Sequence, residues 1–247
     1  MTAGLTSSRG GKRTWWSDLI VRYQMGPFDD RHGSWSALEL ACVLMRRLEP
    51  DARIIVTCQG DIMNDRTVPG VEYLPQQSLE GNPYCEGRHV PNRYGVDEHE
   101  IWADNDHIMW DLPDGWRRFT ARTDAALVWR CDWKYYGSYS PTAARGDSWD
   151  ASAGMWGLPP GAVMPRPVYL SKASPNMDEY GWVVRYLAEW PEHCYITQEE
   201  VPIYCPNHDS LKHRDTIGTH GVHLNGINRG WNAAGGNLLK ELRTKWL

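Results

Sequence analysis

The stretch "HEIWADNDHIMWDLPDGW", residues 99–116, places two aspartates, Asp104 and Asp106, one residue apart at the end of an apolar run. Like charges at close range repel, and the simplest way to hold two carboxylates together is a divalent cation with oxygen ligands. Side chains at i and i+2 of a strand point the same way, so a strand running through this triplet aims both carboxylates at one spot. A turn at Asn105 converges them differently, with the same consequence. A D-x-D triplet standing alone is a weak signal and reads first as a solvated turn. Here the apolar core Ile101 to Ala103 precedes it and "HIMWDLP" follows it, a context that favours a site. A second set of ligand types lies in "HGVHLNGINRGWN", where His220 and His223 are three apart. His-x-x-His is compatible with zinc, but none of the six cysteines forms the close pair that a structural zinc site uses. A third acidic pair, Asp178 and Glu179, stands at the start of a helical pattern, where the helix dipole favours anions and capping is one account of them.

The elements that must position these residues alternate. "SDLIVRYQ" reads as a strand. "SWSALELACVLMRRLEP" has Leu38, Ala41, Cys42, Met45 and Leu48 at three- and four-residue spacing, with Ser34 or Ser36 as a cap and Pro50 after its end, and is predicted to be a helix. "ARIIVTC" is a strand rich in β-branched residues, "GVEYLP" a third, and "HEIWADND" another. A short helix before Asp97 is one reading of "NPYCEGRHVPNRYGVDE". Strands alternating with helices predict a mostly parallel sheet with helices on both faces. In the second half "DAALVWRCDW" reads as a strand and "YYGSYSPTAARGDSWDASAG" as loop. "MDEYGWVVRYLAEW" reads as a helix ending before Pro191, "HGVHLNGINRGWN" as loop, and "NLLKELRTKW" as a final helix. No internal repeat, low-complexity segment or interdomain linker is visible.

Composition narrows the function. The chain has 247 residues, 41% of them hydrophobic and 23% charged, which fits one sizeable packed domain rather than a disordered chain. Its formal charge of −5 argues against a general nucleic-acid binder, which is usually basic. Arg117, Arg118, Arg122 and Arg130 supply either a local basic patch for a nucleotide-like acceptor or a solvated face. The basic "SSRGGKR" near the start reads as a flexible tail over residues 1–16. No apolar run approaches the roughly 18 residues of a membrane span, and no signal peptide is apparent. The six cysteines then read as reduced thiols of a cytoplasmic protein. The 14 tryptophans against 2 phenylalanines suit either compositional bias or a core bordering a polar site.

"EIWADNDHIMWDLP" resembles the metal-binding strand of GT-A glycosyltransferases, in which an apolar strand, a D-x-D, an apolar stretch and a "DLP"-like segment follow in that order. The resemblance is to the group of glycogenin and the bacterial lipopolysaccharide galactosyltransferases, which carry a C-terminal H-x-x-G-x-x-K-P-W. "HLNGINRGW", His223 to Trp231, keeps the His, Gly, cation and Trp, with Arg229 for the lysine and Gly230 for the proline. "SAGMWGLPPG" resembles the N-[AS]-G segment that lines the sugar and acceptor cleft, with Ser152 in place of the Asn and Gly154 retained. "MDEYGW" resembles the D-Q-D segment, with Glu179 where a Gln often sits. The resemblance spans roughly residues 17–232, and its two end motifs are the specific ones.

The resemblance implies a single α/β GT-A-like, Rossmann-like domain over residues 17–247. Residues 17–116 would be the nucleotide-sugar half. Residues 117–247 would be a smaller, irregular acceptor half that ends in the metal and diphosphate loop. It implies transfer of a sugar from a nucleoside-diphosphate sugar, a UDP-sugar first, to an acceptor hydroxyl on a saccharide or modified nucleic acid. The nearer match leans towards retention. Asp104, Asp106 and His223 would hold Mn2+ or Mg2+, with His220 as the rival to His223. Arg229 and Gly226 would meet the diphosphate. Tyr23, Gln24, Arg88, Asn105, Ser152 and Gly154 would line the donor, with Arg93 competing with Arg88. Asp178 or Glu179 would steady the anomeric carbon or take the acceptor proton. Two rival functions remain at this stage. One is a nucleotidyltransferase, which would need a better glycine-rich loop than "QMGPFDDRHG". The other is an inactive GT-A-like module that binds nucleotide and metal without turnover.

Overall fold

The computed structural model describes residues 18–26, 33–59, 67–76, 93–130, 151–163, 186–207, 214–227, 230 and 232–247. The basic tail, the 82–92 segment, and Arg88, Asp178, Glu179 and Arg229 lie outside the described residues.

The first half follows its sequence pattern closely. Strand β1 is Leu19–Met25, helix α1 Ser34–Leu48, β2 Arg53–Cys58, β3 Val71–Pro75 and β4 His99–Ala103. β1 pairs in parallel with β2 on one side and with β4 on the other, and β3 adds in parallel to β2. Strands covered on both faces carry almost unbroken apolar runs, which is why "LIVRYQM" and "RIIVTC" read so plainly. α1 begins differently from its expected Ser cap. Gly33 is the N-cap residue, in the left-handed region at φ 94°, and no side chain caps the helix. Ser34 and Ser36 are therefore not caps. Two arginines in the last turn, Arg46 and Arg47, face the carbonyl end, where a cation is favoured.

The second half is more regular than its composition suggests. After β5 (His107–Met109) and a short α2 (Asp114–Thr120) come β6 (Ala126–Arg130), β7 (Ala151–Leu158), β8 (His193–Ile196), β9 (Gly221–His223) and α3 (Ala233–Trp246). The segment "ASAG", expected to be loop, opens β7, and the loop around His223 contains β9. Residues 186–188 are helical, consistent with a helix ending before Pro191. The seven-stranded sheet has the order β3-β2-β1-β4-β7-β6-β8, and β5 pairs with β9 in a separate two-stranded sheet. β7 runs antiparallel to both neighbours, β4 and β6, while β8 is parallel to β6. Six of the seven strands thus share one direction. The expected mostly parallel α/β sheet is present, and it reaches well into the C-terminal half.

Two cores lie on the two faces. The larger joins Val21, Tyr23 and Met25 to Leu38, Ala41 and Met45 of α1, Trp116 and Phe119 of α2, and Leu238, Leu239 and Leu242 of α3. Fully burying a Val, Leu, Met or Phe side chain of this set contributes about 1.5–3 kcal/mol. The smaller core packs Trp102 on Trp156 across β4 and β7, rings stacked at 4.1 Å, with Val128, Leu158 and Leu187 around them. On this face Glu100 is fully buried and meets Arg22 at 3.5 Å and Arg93 at 3.6 Å, and Tyr94 N donates to it at 2.8 Å. Burial pushes the Glu100 carboxyl up and the two guanidiniums down; the mutual attraction offsets part of each shift. The four described cysteines, Cys42, Cys58, Cys194 and Cys205, are free and buried. Among the described residues no helix is long and apolar enough to cross a membrane.

α2 lies directly on β8. A Cβ at Gly115 would fall 1.9 Å from the backbone oxygen of Tyr195, an overlap no rotamer can relieve. Gly115→Ala should therefore lift α2 off the sheet and destabilise the fold by about 3 kcal/mol, read as a fall in the denaturant midpoint. An unchanged midpoint would mean that the α2–β8 contact is not as close as described.

Candidate metal and nucleotide site

β1 and β4 lie at the point where the strand order reverses, and in open α/β sheets ligands bind beyond the carboxyl ends of strands at such a point. β4 ends at Ala103. Asp104 follows it, and Asn105 and Asp106 form a turn rather than a continued strand. Asp104 N donates to Gly154 O on β7 (2.8 Å), and His107 N donates back to Asp104 O (3.2 Å). Asn105 is buried, and its Nδ2 approaches Met25 Sδ, the last residue of β1, at 3.4 Å. The triplet is thus fixed to both neighbouring strands.

The chain then returns as β5, and β5 pairs with β9 so that His107 stands opposite His223. Leu224 N donates to Asp106 O at 3.0 Å, extending the ladder into the turn. On the other side of β9, His223 N donates to Pro202 O at 2.8 Å and Tyr204 N to His223 O at 2.8 Å. His223 Nε2 is consequently held 3.0 Å from Asp106 Oδ1 and 3.9 Å from Asp104 Oδ2. The His107 ring stacks on His223 with centroids 4.0 Å apart and planes 5° apart. One ligand atom from each of Asp104, Asp106, His107 and His223 lies within 4.8 Å of all the others. Trp129 closes the wall, edge-on to His107 at 4.5 Å and to His223 at 5.1 Å, with its Nε1 donating to Val201 O at 2.9 Å.

This donor set fits a divalent cation. Two carboxylates meet two imidazoles, and the Asp106 and His223 side chains are only 6% and 7% exposed. Among the described residues, the ion-pair partner found for Asp106 is His223, not an arginine or lysine. A cation would relieve the carboxylate repulsion, and mixed oxygen and nitrogen donors suit a first-row divalent ion.

His220 stands elsewhere. Its Nδ1 is 2.8 Å from Thr219 Oγ1 and its Nε2 3.8 Å from Asp111 Oδ2, and it is not part of the four-residue cluster. Arg93 is committed to structure, donating to Pro159 O and Ala162 O at 2.7 and 2.8 Å besides its contact with Glu100. Gln24 Nε2 donates to Gln76 Oε1 at 2.9 Å, at the carboxyl ends of β1 and β3. Tyr23, expected to stack on a base, is instead 1% exposed, with its ring in the α1-facing core. Burial pushes its hydroxyl well up, and no ring face is open to a ligand. Ser152 is buried on β7 and its Oγ accepts from Gly154 N at 3.1 Å. The arginines considered as a basic patch are partly neutralised. Arg117 pairs with Asp111 at 2.8 Å and Arg122 with Asp124 at 2.8 Å, while Arg130 lies over the Tyr195 ring at 5.4 Å.

Three site-building residues have little sequence signal. His107 is adjacent to Asp106, and only the β5–β9 register turns it into the cluster. Trp129 is one of 14 tryptophans. Asn232, 1% exposed, locks the loop after His223: its Nδ2 donates to Tyr204 O and Asn225 O at 2.7 and 2.9 Å, and its Oδ1 caps α3 by accepting from Gly235 N at 2.8 Å. The N-x-x-G spacing before an apolar helical pattern is the one hint of that cap. Gly226 sits in the same loop at φ 82°, a conformation that glycine adopts without penalty.

No protein-family model matches the chain, and no curated protein matches it in sequence. Solved structures do match in fold. A galactosyltransferase, LgtC, in complex with donor and acceptor sugar analogs superposes with a TM-score of 0.56 at 12% identity, covering 92% of this chain and 96% of that one. Mouse xyloside xylosyltransferase 1, in its apo form, superposes with a TM-score of 0.53 at 9% identity, covering 84% and 98% respectively.

A Cβ at Gly154 would lie 3.0 Å from the Trp129 ring, 3.1 Å from Asp104 Oδ2 and 3.3 Å from His107 Cε1. Gly154→Ala should leave the protein folded by circular dichroism, because side chains can give by a few tenths of an ångström. It should weaken metal binding measured by calorimetry, because what must give is the cluster itself; unchanged affinity would show that the cluster does not hold the ion. At this degree of identity the likeness to solved proteins is one of fold, and the chain has the GT-A-like α/β architecture that its two end motifs lead one to expect.

Proposed function

We propose that this protein is a metal-dependent glycosyltransferase that moves a sugar from a nucleoside-diphosphate sugar to an acceptor hydroxyl. The observation that carries the reading is the meeting of the D-x-D turn and the C-terminal H-x-x-G loop at the switch point of a GT-A-like sheet. His223 Nε2 stands 3.0 Å from Asp106 there. A solved protein of the same fold, the galactosyltransferase LgtC, was seen with donor and acceptor sugar analogs, which supports a two-substrate cleft.

Asp104, Asp106 and His223 are the proposed ligands. A divalent cation held there would stabilise the negative charge that builds on the departing diphosphate. The chain's own part is positional. Asp104 and Asp106 are fixed by their backbone bonds to Gly154 and Leu224, so the carboxylates need not reorganise as charge develops. Asn105, Ser152 and Gly154 would bound the donor on the β1 and β7 sides, with Gln24 at the β1 end. Gly226 permits the turn that carries the chain on towards Arg229, whose guanidinium would clamp diphosphate oxygens in a bidentate fork. Arg88 would meet the donor. Asp178 or Glu179 would face the anomeric carbon. The roles of Arg229, Arg88 and Asp178 or Glu179, together with the UDP base, Mn2+ and retention, rest on the motif resemblance.

Thermal-shift or calorimetric titration with UDP, GDP and ADP, each with and without Mn2+, tests the reading. One nucleotide should stabilise the protein only when metal is present. Asp106→Asn should remove that gain while the protein stays folded, and His223→Ala should weaken it more than His220→Ala does. Metal-independent binding, or an unaffected Asp106→Asn variant, would contradict the assignment. Tight metal-dependent binding without hydrolysis or transfer of any donor sugar would instead identify an inactive binding module.

A further inference from the structure

We propose that His107 is itself a metal ligand, so that the centre offers two imidazoles and two carboxylates and selects Mn2+ over Mg2+. The inference rests on the reading that this cluster holds a divalent cation. It goes beyond the D-x-D and H-x-x-G motifs, neither of which includes residue 107.

Three observations place His107 in the cluster. Its ring contributes a nitrogen to the set of four ligand atoms that lie within 4.8 Å of one another. The β5–β9 register sets it directly opposite His223, and cross-strand neighbours of this kind present their side chains on the same face. The rings stack at 4.0 Å with a 5° interplanar angle, so both border the same space, and a turn of the His107 ring about its Cβ–Cγ bond brings its nitrogen and that of His223 to one ion. The third observation is Gly154. His107 Cε1, the carbon between the two ring nitrogens, and Asp104 Oδ2 lie 3.3 and 3.1 Å from the one point that a Cβ of residue 154 would occupy. The nitrogen-bearing edge of His107 therefore converges with a carboxylate oxygen over a residue that has no side chain. His107 is 1% exposed, with Trp129 edge-on against it, so its ring is screened from water beside the carboxylates.

The donor set has a consequence for metal choice. Mg2+ is a small, hard ion that prefers oxygen and keeps several waters. Mn2+ and the later first-row ions accept imidazole more readily. A centre with one histidine discriminates weakly, and a second imidazole widens the gap. The remaining coordination positions would fall to the oxygens of the diphosphate.

Pulsed EPR of the protein with Mn2+ alone, combined with calorimetric titration of Mn2+ and of Mg2+, tests this directly. The wild-type spectrum should show nitrogen coupling from two imidazoles, and both His107→Gln and His223→Gln should reduce it to one. Partners in the outer shell of a metal site are already worth about 10- to 100-fold in affinity. Loss of a ligating nitrogen should accordingly weaken Mn2+ binding by at least about tenfold and Mg2+ binding by less, so the Mn2+/Mg2+ preference falls. Coupling from a single imidazole in the wild type would overturn the role of His107 and leave the metal site standing. Equal losses for both ions in His107→Gln would do the same, by showing that His107 only supports the ring of His223. Failure of the wild type to bind Mn2+ at all would overturn the metal-site reading as well. The wild-type spectrum decides the matter even where the buried variant does not fold.

Discussion

Two carboxylates brought together in a largely buried turn cannot stay there without compensation, and the architecture around Asp104 and Asp106 supplies it. The short antiparallel pairing of β5 with β9 is the decisive constraint. It fixes His107 opposite His223 and sets His223 Nε2 3.0 Å from Asp106. Residues from the middle and the far end of the chain are thereby brought to one point. Everything else in the site depends on that register, because a one-residue slip of β9 against β5 would turn His223 to the other face, away from Asp106.

The larger fold can be read as the support for this pairing. β1 and β4 end at the switch point and deliver the D-x-D turn to the edge of the sheet. β7 runs against them and contributes Gly154, whose carbonyl holds Asp104 and whose missing side chain leaves room for the cluster. α3 closes the arrangement from the other end. Arg243 on α3 reaches Glu39 on α1 at 2.6 Å and Ser36 O at 2.9 Å, and Asn232 ties the α3 N-terminus to residues 204 and 225. The loop that carries His223 is therefore gripped between a capped helix and a two-stranded ladder, and preorganisation of this kind lets fixed charges act without reorganising.

Much of this was legible in the residues. β1, α1, β2 and β4 have long, strongly periodic or β-branched patterns, and periodicity is the part of a sequence that reports local structure most directly. The D-x-D segment was legible because two neighbouring carboxylates call for a cation, and the H-x-x-G segment because it resembles the C-terminal motif of the GT-A group. What was hidden depends on partners distant in sequence. "ASAG" has small residues with low strand preference, yet it opens β7 because β4 and β6 flank it. β9 is three residues in a Gly- and Asn-rich stretch and is a strand only because β5 is there. His107 follows the same logic: nothing in its own neighbourhood points it at the aspartates. Tyr23 is the converse case. Its position at a strand end suggested a ligand contact, whereas alternation along β1 sends its ring into the α1-facing core. The Ser caps of α1 failed for a local reason, since Gly33 takes the left-handed conformation and begins the helix without a side-chain acceptor.

The most direct test of the central claim is an anomalous diffraction experiment on crystals grown with Mn2+ and UDP. The account expects a single strong manganese peak within coordination distance of Asp104, Asp106 and His223, with diphosphate density against it. A manganese peak at another place in the molecule, or none despite bound UDP, would contradict it.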